Sequence, residues 1–306
     1  MRSVSAERPR RKPRRKVQIR EMRTRVNSAT LLRSMVLGAI VGLLATGMLA
    51  CAEGPHGGAA GTFTPRVPGT LTVATAQIPD PGFWEGTPEH LTGGFEYELA
   101  RALAGRFGLD QVKVIVVPFE RLVGGHLDGA DLALSDITIT AARARYVSFS
   151  EPYLDAPPSI LVRPGTEVPD VKTARGLRFA VQTGTTLETA LQEEISPHEA
   201  PLILDHQREV LHALRGHRVS AVMLDLPVAL AYARESPRAY AVAAQLPSEA
   251  GLGIALPKGS ENLEAVNSAL RALETDGTIE RLGHEWLQAS VQEGQAEAVP
   301  VLRTGE

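Results

Sequence analysis

Three short stretches of the chain put a charged or hydroxyl side chain where an apolar strand gives way to a helix. In "SDITITAARARYVSFSEPYL" (135–154) an apolar run ends at Ser135, a polar turn follows, and Thr140 opens a helical pattern carrying Arg143 three residues on. Thr140 has the chemistry of a helix N-cap. A cation in a first helical turn opposes the helix dipole, so Arg143 there points to an anionic partner. Its planar guanidinium matches a carboxylate through two parallel hydrogen bonds, although a surface salt bridge would use it too. "QTGTTLETAL" (182–191) repeats the order strand, glycine turn, helix start. Thr185 and Glu188 have capping-box spacing, and the backbone N–H groups of Gly184 to Thr186 would also attract an anion. "HRVSAVMLDLPVALAYAR" (217–234) ends a strand at Asp225, with Pro227 just inside the next helix. Asp225 is either that helix's N-cap or a carboxylate for an ammonium group, since open α/β domains bind ligands at this sheet edge.

The signatures of covalent chemistry do not occur. There is no G-x-S-x-G, no Walker loop and no dinucleotide glycine pattern, and "HEWLQ" (284–288) is not H-E-x-x-H. The eight histidines lack ligand-like pairing, so no metal and no cofactor are expected.

Charge is distributed unevenly along the 306 residues. Residues 1–33 hold 12 of the 32 Lys/Arg against two acids, Glu7 and Glu21, which leaves an acidic remainder. That remainder does not suit a phosphate backbone, so "RRKPRRK" reads as part of a targeting segment and no nucleic acid is expected. "SMVLGAIVGLLATGMLA" (34–50) carries no charge and is short for a stable membrane span. Cys51, the single cysteine, follows directly. A basic start, an apolar core and a small residue before Cys resemble a bacterial lipoprotein signal, with Met48 where that signal prefers Leu. Cys51 would then be diacylated. An uncleaved anchor with an incidental cysteine is the alternative, and translation from Met22 would give a shorter leader. Both put the body outside the cytoplasm.

The elements that must position these residues follow an α/β order. "AEGPHGGAAGTFTPRVPGT" (52–70) reads as a flexible tether. From 71 onward apolar strands (71–76, 112–119, 130–135, 177–183, 202–205, 219–224) alternate with helical patterns, which predicts parallel sheets. Buried strands are expected throughout. Phe95, Leu99, Leu103 and Phe107 mark one helix, stopped by Gly108. Further helices are expected at 187–195, 206–216, 227–234, 260–275 and 278–288. The proline-rich "EPYLDAPPSILVRPG" divides the pattern into two lobes.

Five segments in order, "GGFEYELARAL", "GADLALSDITITAARARYVSFSEPYL", "FAVQTGTT", "HRVSAVMLD" and "GIALPKGSENLEAVNSALRALETDGTIERLGHEW", resemble the family 3 extracellular solute-binding proteins over residues 69–288. The resemblance implies a two-lobed periplasmic-binding-protein type II fold that closes on a polar amino acid and passes it to an ABC transporter permease. With it the chain divides into a signal segment (1–50) and a tether (51–68) read from the residues, lobe 1 (69–158 and 250–290), lobe 2 (159–249) and a loose tail without pattern (291–306), with hinge strands near 155–163 and 248–256. By the same resemblance Arg143 grips an α-carboxylate and Asp225 an α-ammonium. Thr185 and Thr186 supply donors from lobe 2, while Ser135, Asp136 and Thr138 line lobe 1. Two departures stand out: Asp136 replaces a small residue, and the loop "AQIPDPGFWEGTPEHLTGG" lacks the usual proline-aromatic pattern, leaving Phe83 or Trp84 for the aromatic wall. Asp136 either faces a cationic ligand or pairs with Arg143. The expected protein is a non-catalytic, lipid-anchored monomer. A dehydratase acting on cyclic carboxylic acids and a sensory ectodomain are the rival readings, the second lacking an apolar span near the C-terminus.

Overall fold

In the computed structural model, residues 62–248, 251–287 and 299–303 are described. Cys51, the signal segment and most of the tether lie outside them, as do 288–298 and 304–306. The chain enters on β1 (Thr70–Thr75), buried along its whole length, and makes a small hairpin from β2 (Glu85–Thr87) and β3 (His90–Gly93). Helix α1 (Phe95–Arg106) buries Phe95, Leu99 and Leu103 on one face, the four-residue spacing seen in the sequence. β4 (Gln111–Val116), α2 (Phe119–Val123) and the two-residue β5 (Leu132–Ala133) follow, then β6 (Val147–Asp155). The chain next builds β7 (Pro158–Val162), α3 (Val171–Arg175), β8 (Phe179–Gln182), α4 (Thr186–Ala190), β9 (Leu202–Leu204) and α5 (Gln207–Arg215). β10 (Ala221–Asp225), α6 (Leu226–Glu235) and β11 (Ala241–Gln245) lead to β12 (Gly251–Pro257), α7 (Leu263–Thr275) and α8 (Thr278–Leu282).

Two five-stranded sheets result, ordered β4-β1-β5-β12-β6 and β11-β7-β10-β8-β9. Each with its helices makes one lobe. The chain passes from the first sheet to the second between β6 and β7, and returns between β11 and β12. Both sheets are mixed rather than parallel. β1 runs parallel to β4 and β5, and β8 to β9 and β10, but the strands flanking the two crossings pair antiparallel. β4 and β9 were expected as buried strands; they alternate between half-buried and exposed because each is an edge of its sheet.

Three local expectations are corrected. The helix expected from Thr140 is a single 3-10 turn, Arg143–Arg145, because β6 begins two residues later at Val147. The argument from a helix dipole therefore does not apply to Arg143. The last residues of the expected tether are packed: Phe63 stacks on Phe107 with ring centroids 4.1 Å apart, and the Asn262 side chain bonds both the N–H and the carbonyl of Thr64. Part of the expected loose tail is held too. Leu302 N–H donates to the Gln245 carbonyl and Gln245 N–H to that of Pro300, while Val299 and Leu302 are buried. Among the described residues no helix is long and apolar enough to cross a membrane.

Gly94 opens α1 with φ +115°, and a Cβ there would lie 2.2 Å from the Phe83 carbonyl oxygen. Gly94→Ala should cost about 2–3 kcal/mol of stability. Urea denaturation with an unchanged midpoint would contradict it.

Candidate functional site

Arg143 is 8% exposed, and its environment explains why a charged group is tolerated there. Nη1 donates to the Thr138 carbonyl at 2.8 Å and Nη2 to the Gly184 carbonyl at 3.1 Å. Gly184 lies in the turn after β8, so the guanidinium is fastened to both lobes. Its carbon stands 5.2 Å from the centre of the Phe119 ring, a cation–π contact. Thr140 Oγ accepts from the Arg143 N–H at 3.1 Å, so the threonine orders the turn that carries the arginine. Burial lowers the guanidinium to about 10, against the opposing pull of Asp225, and the group stays cationic at neutral pH.

Asp225 ends β10 and occupies the N-cap position of α6, yet its side chain makes no cap hydrogen bond. It is 8% exposed, and burial raises its carboxyl to about 7, with Arg143 pulling the other way. Thr185 holds the N-cap position of α4, but its hydroxyl donates to the Gln182 carbonyl at 2.8 Å; the expected capping box does not form. Thr186 Oγ lies 3.3 Å from Thr138 Oγ across the two lobes. Thr138 is held in place by its neighbours, since Gly253 N–H donates to the Ile137 carbonyl and Ile139 N–H to that of Gly251. Ser135 Oγ accepts from Ala76 N–H at 2.9 Å.

Phe83 and Trp84 do not form a wall of this cleft. Asp80 N–H donates to the Trp84 carbonyl and the Phe83 and Trp84 N–H groups return to the Asp80 carbonyl, a tight turn that tucks both rings into the lobe 1 core. Phe83 meets Phe95 edge-on, and Trp84 Nε1 donates to Glu96 Oε2 at 2.6 Å. Phe119 lines the narrow cavity of the cleft instead.

Asp136 makes no ion pair with Arg143. Its backbone has φ +49° and its N–H donates to Glu96 Oε1 at 2.9 Å, while its side chain is hydrogen-bonded to the carboxyl of Asp80. Asp80 was not singled out in the sequence, although it lies in the irregular loop after β1. Asp80 Oδ1 accepts from Gln207 Nε2 at 3.1 Å and from the Tyr232 hydroxyl at 3.2 Å, both on lobe 2. Behind the pair, Glu96 is wholly buried and accepts from Trp84, Asp136 and the Tyr153 hydroxyl. Burial raises Asp80 to about 6 and Glu96 to about 7. Burial, then the neighbouring charges of Glu96 and Asp80, raises Asp136 well above the usual carboxylate range.

Arg143, Asp225, Asp136, Asp80, Thr185 and Phe119 line one narrow cavity of about 40 Å³. A wider cavity of about 640 Å³ shares Thr138, Arg143, Thr185, Thr186 and Asp225. The arrangement offers a cation and a carboxylate to a small ion, with carboxyl groups beside them.

Four carboxyl groups with raised values give the protein a stability that falls with rising pH. Between about pH 4 and pH 7 the folded chain binds more protons than the unfolded one at Asp80, Glu96 and Asp225, and Asp136 adds in the same direction, so the stability these groups contribute is fully present below the range and is lost as pH rises through it. The melting temperature without ligand should be higher at pH 5 than at pH 8. A rise over that interval would contradict the burial of these groups.

Residues 71–289 match the family described as bacterial extracellular solute-binding proteins, family 3. The L-cystine-binding protein TcyJ of Escherichia coli (strain K12) is 30% identical over 229 residues, covering 73% of this chain and 84% of that protein. Among solved structures, an ancestral arginine-binding protein bound to glutamine is similar with a TM-score of 0.64 at 30% identity, over 72% of this chain and 98% of that one. The ancestral amino acid-binding protein AncCDT-1, a precursor of cyclohexadienyl dehydratase, gives 0.61 at 29% identity, over 72% and 95%. With a match running from β1 past α8 and two lobes meeting at a charged cleft, the chain belongs to the family 3 bacterial extracellular solute-binding proteins.

Proposed function

We propose that this protein captures an amino acid or a closely related small zwitterion outside the cytoplasm and delivers it to an ABC transporter permease. The observation that carries this reading is that Arg143 and Asp225, opposite charges each 8% exposed, line one cavity between the lobes. Two of the five guanidinium N–H groups go to carbonyls, which leaves donors for a carboxylate. Asp225, uncommitted to its helix, takes the ammonium, and Thr138, Thr185 and Thr186 add hydroxyls. The proteins it resembles have names that say they bind cystine or arginine.

The narrow cavity of about 40 Å³, where Asp80 and Asp136 lie, holds only a few waters, so a ligand fills that part of the cleft when the lobes part. Arg143–Gly184, Thr138–Thr186 and Asp80–Gln207 are the contacts that release and re-form. The crossings between β6 and β7 and between β11 and β12 are where a hinge would flex. We assign capture without catalysis. A dehydratase needs a poised acid or base, for which Asp136 has the right type; but the dehydratase precursor among the similar structures is itself named an amino acid-binding protein. The working form in this reading is a monomer tethered through a lipid on Cys51.

Truncating Arg143 to Ala should weaken amino acid binding by about 2–5 kcal/mol, on the order of 30- to several-thousand-fold. Arg145→Ala, at an exposed side chain, should be near neutral in calorimetry. Equal small effects would remove Arg143 from the site. Cys51→Ser should release the protein from membranes or leave an unprocessed precursor; unchanged membrane fractionation, with no lipid label on the wild type, would refute the lipid anchor.

A further inference from the structure

The Asp80–Asp136 pair lies outside the Arg143–Asp225 clamp but in the same cavity. Asp136 Oδ1 is buried and receives no N–H or O–H from the protein among the described residues, apart from the Asp80 carboxyl against which its side chain rests. The two partners are not equivalent. Asp80 collects donors from Gln207 and Tyr232, which favour its anion, whereas the Asp136 carboxyl receives no N–H among the described residues. Two adjoining carboxyls, Asp80 buried and Asp136 half-buried, resist ionising together unless a cation compensates them. The proton of the pair therefore sits on Asp136 and points at Asp80.

The charges around the pair supply no such cation. Glu96 from α1, Glu85 from β2 and Asp225 from β10 are acids; Tyr153 from β6 and Tyr232 from α6 are neutral phenols. Arg143 is the one cation lining the cavity among the described residues, and it is bound to two carbonyls. A zwitterion held by Arg143 and Asp225 is itself neutral, so it leaves the pair as it was. A ligand with a second cationic group does not.

We infer that Asp80 and Asp136 form the specificity subsite of the cleft, which takes the second cationic group of the ligand in exchange for the proton of the pair. This rests on the amino acid reading above and names its substrate class: zwitterions of net charge +1, such as diamino or guanidino acids. The exchange balances. Asp136 loses its proton to solvent, its carboxylate accepts from the ligand's ammonium or guanidinium, and the total charge of the cleft with ligand is unchanged by the swap. Affinity for such ligands consequently rises with pH, while a neutral amino acid gains nothing from the pair.

Titration calorimetry in buffers of different ionisation enthalpy tests this with L-arginine, L-ornithine and L-glutamine. Asp225 and Glu96 also hold raised values, so glutamine is the reference for protons they release. Arginine or ornithine should bind about 10- to 150-fold more tightly than glutamine and release up to one further proton. Asp136→Asn, whose side chain suits the positive φ at that position, should remove the extra proton and narrow the affinity ratio of the cationic probes to glutamine. Asp80→Asn should reduce the preference too. Glutamine binding as tightly as the cationic probes, with equal proton release in the wild type, would overturn the subsite and leave the amino acid reading standing. Binding of none of the three, with Arg143→Ala indistinguishable from the wild type for every amino acid tried, would refute the reading and the subsite together.

Discussion

A cation buried between two lobes constrains most of this structure. Taking a guanidinium from water costs several kcal/mol unless its donors are satisfied and its charge is met. Here the Thr138 carbonyl meets it from lobe 1, the Gly184 carbonyl from lobe 2, the Phe119 ring through its face at 5.2 Å and the Asp225 charge from the end of β10. None of these partners is near Arg143 in sequence except Thr138. The 3-10 turn that stops before β6, the bonds that lay residues 137–139 beside β12, and the glycine turn after β8 are what bring them to one point. The sheets are scaffolding for that convergence.

The acids around the cleft act in the other direction. Desolvation raises the carboxyls of Glu96, Asp80, Asp136 and Asp225 above their usual range. A fold optimised for stability alone would replace such groups with apolar ones of similar size. Their presence couples three things: proton occupancy, the seam between Asp80 and lobe 2, and the charge offered to an occupant. Glu96 shows how tightly this is built, since its two oxygens bind Trp84, the Asp136 backbone and Tyr153 and so fix the turn on which Asp136 sits.

Much of this was legible in the sequence. Asp225, Thr185 and Thr186 stand at junctions of strand and helix and Arg143 in a polar turn between strands, where type and spacing carry information, and the structure brings them to one cavity. Apolar spacing located α1, and the alternation of strands and helices pointed to the α/β class. What escaped the sequence depended on distant partners. Asp80 looks like a loop residue between two prolines until Gln207 and Tyr232 are folded against it. Phe83 and Trp84 have the composition of a binding wall, and only the turn closed by Asp80 shows that they face inward. Edge and central strands share an apolar composition, so β4 and β9 read as buried. Residues 62–68 and 299–303 lack any period, yet Phe63 and Leu302 each find a hydrophobic surface built from remote segments.

The central claim is that Arg143 and Asp225 clamp the two ends of one small zwitterion between the lobes. A crystal structure of the protein with L-arginine or L-glutamine tests it most directly. The account predicts the ligand carboxylate within hydrogen-bonding distance of Arg143, its ammonium on Asp225 and hydroxyl contacts from Thr185 or Thr186. A bound amino acid that touches neither Arg143 nor Asp225 would contradict it.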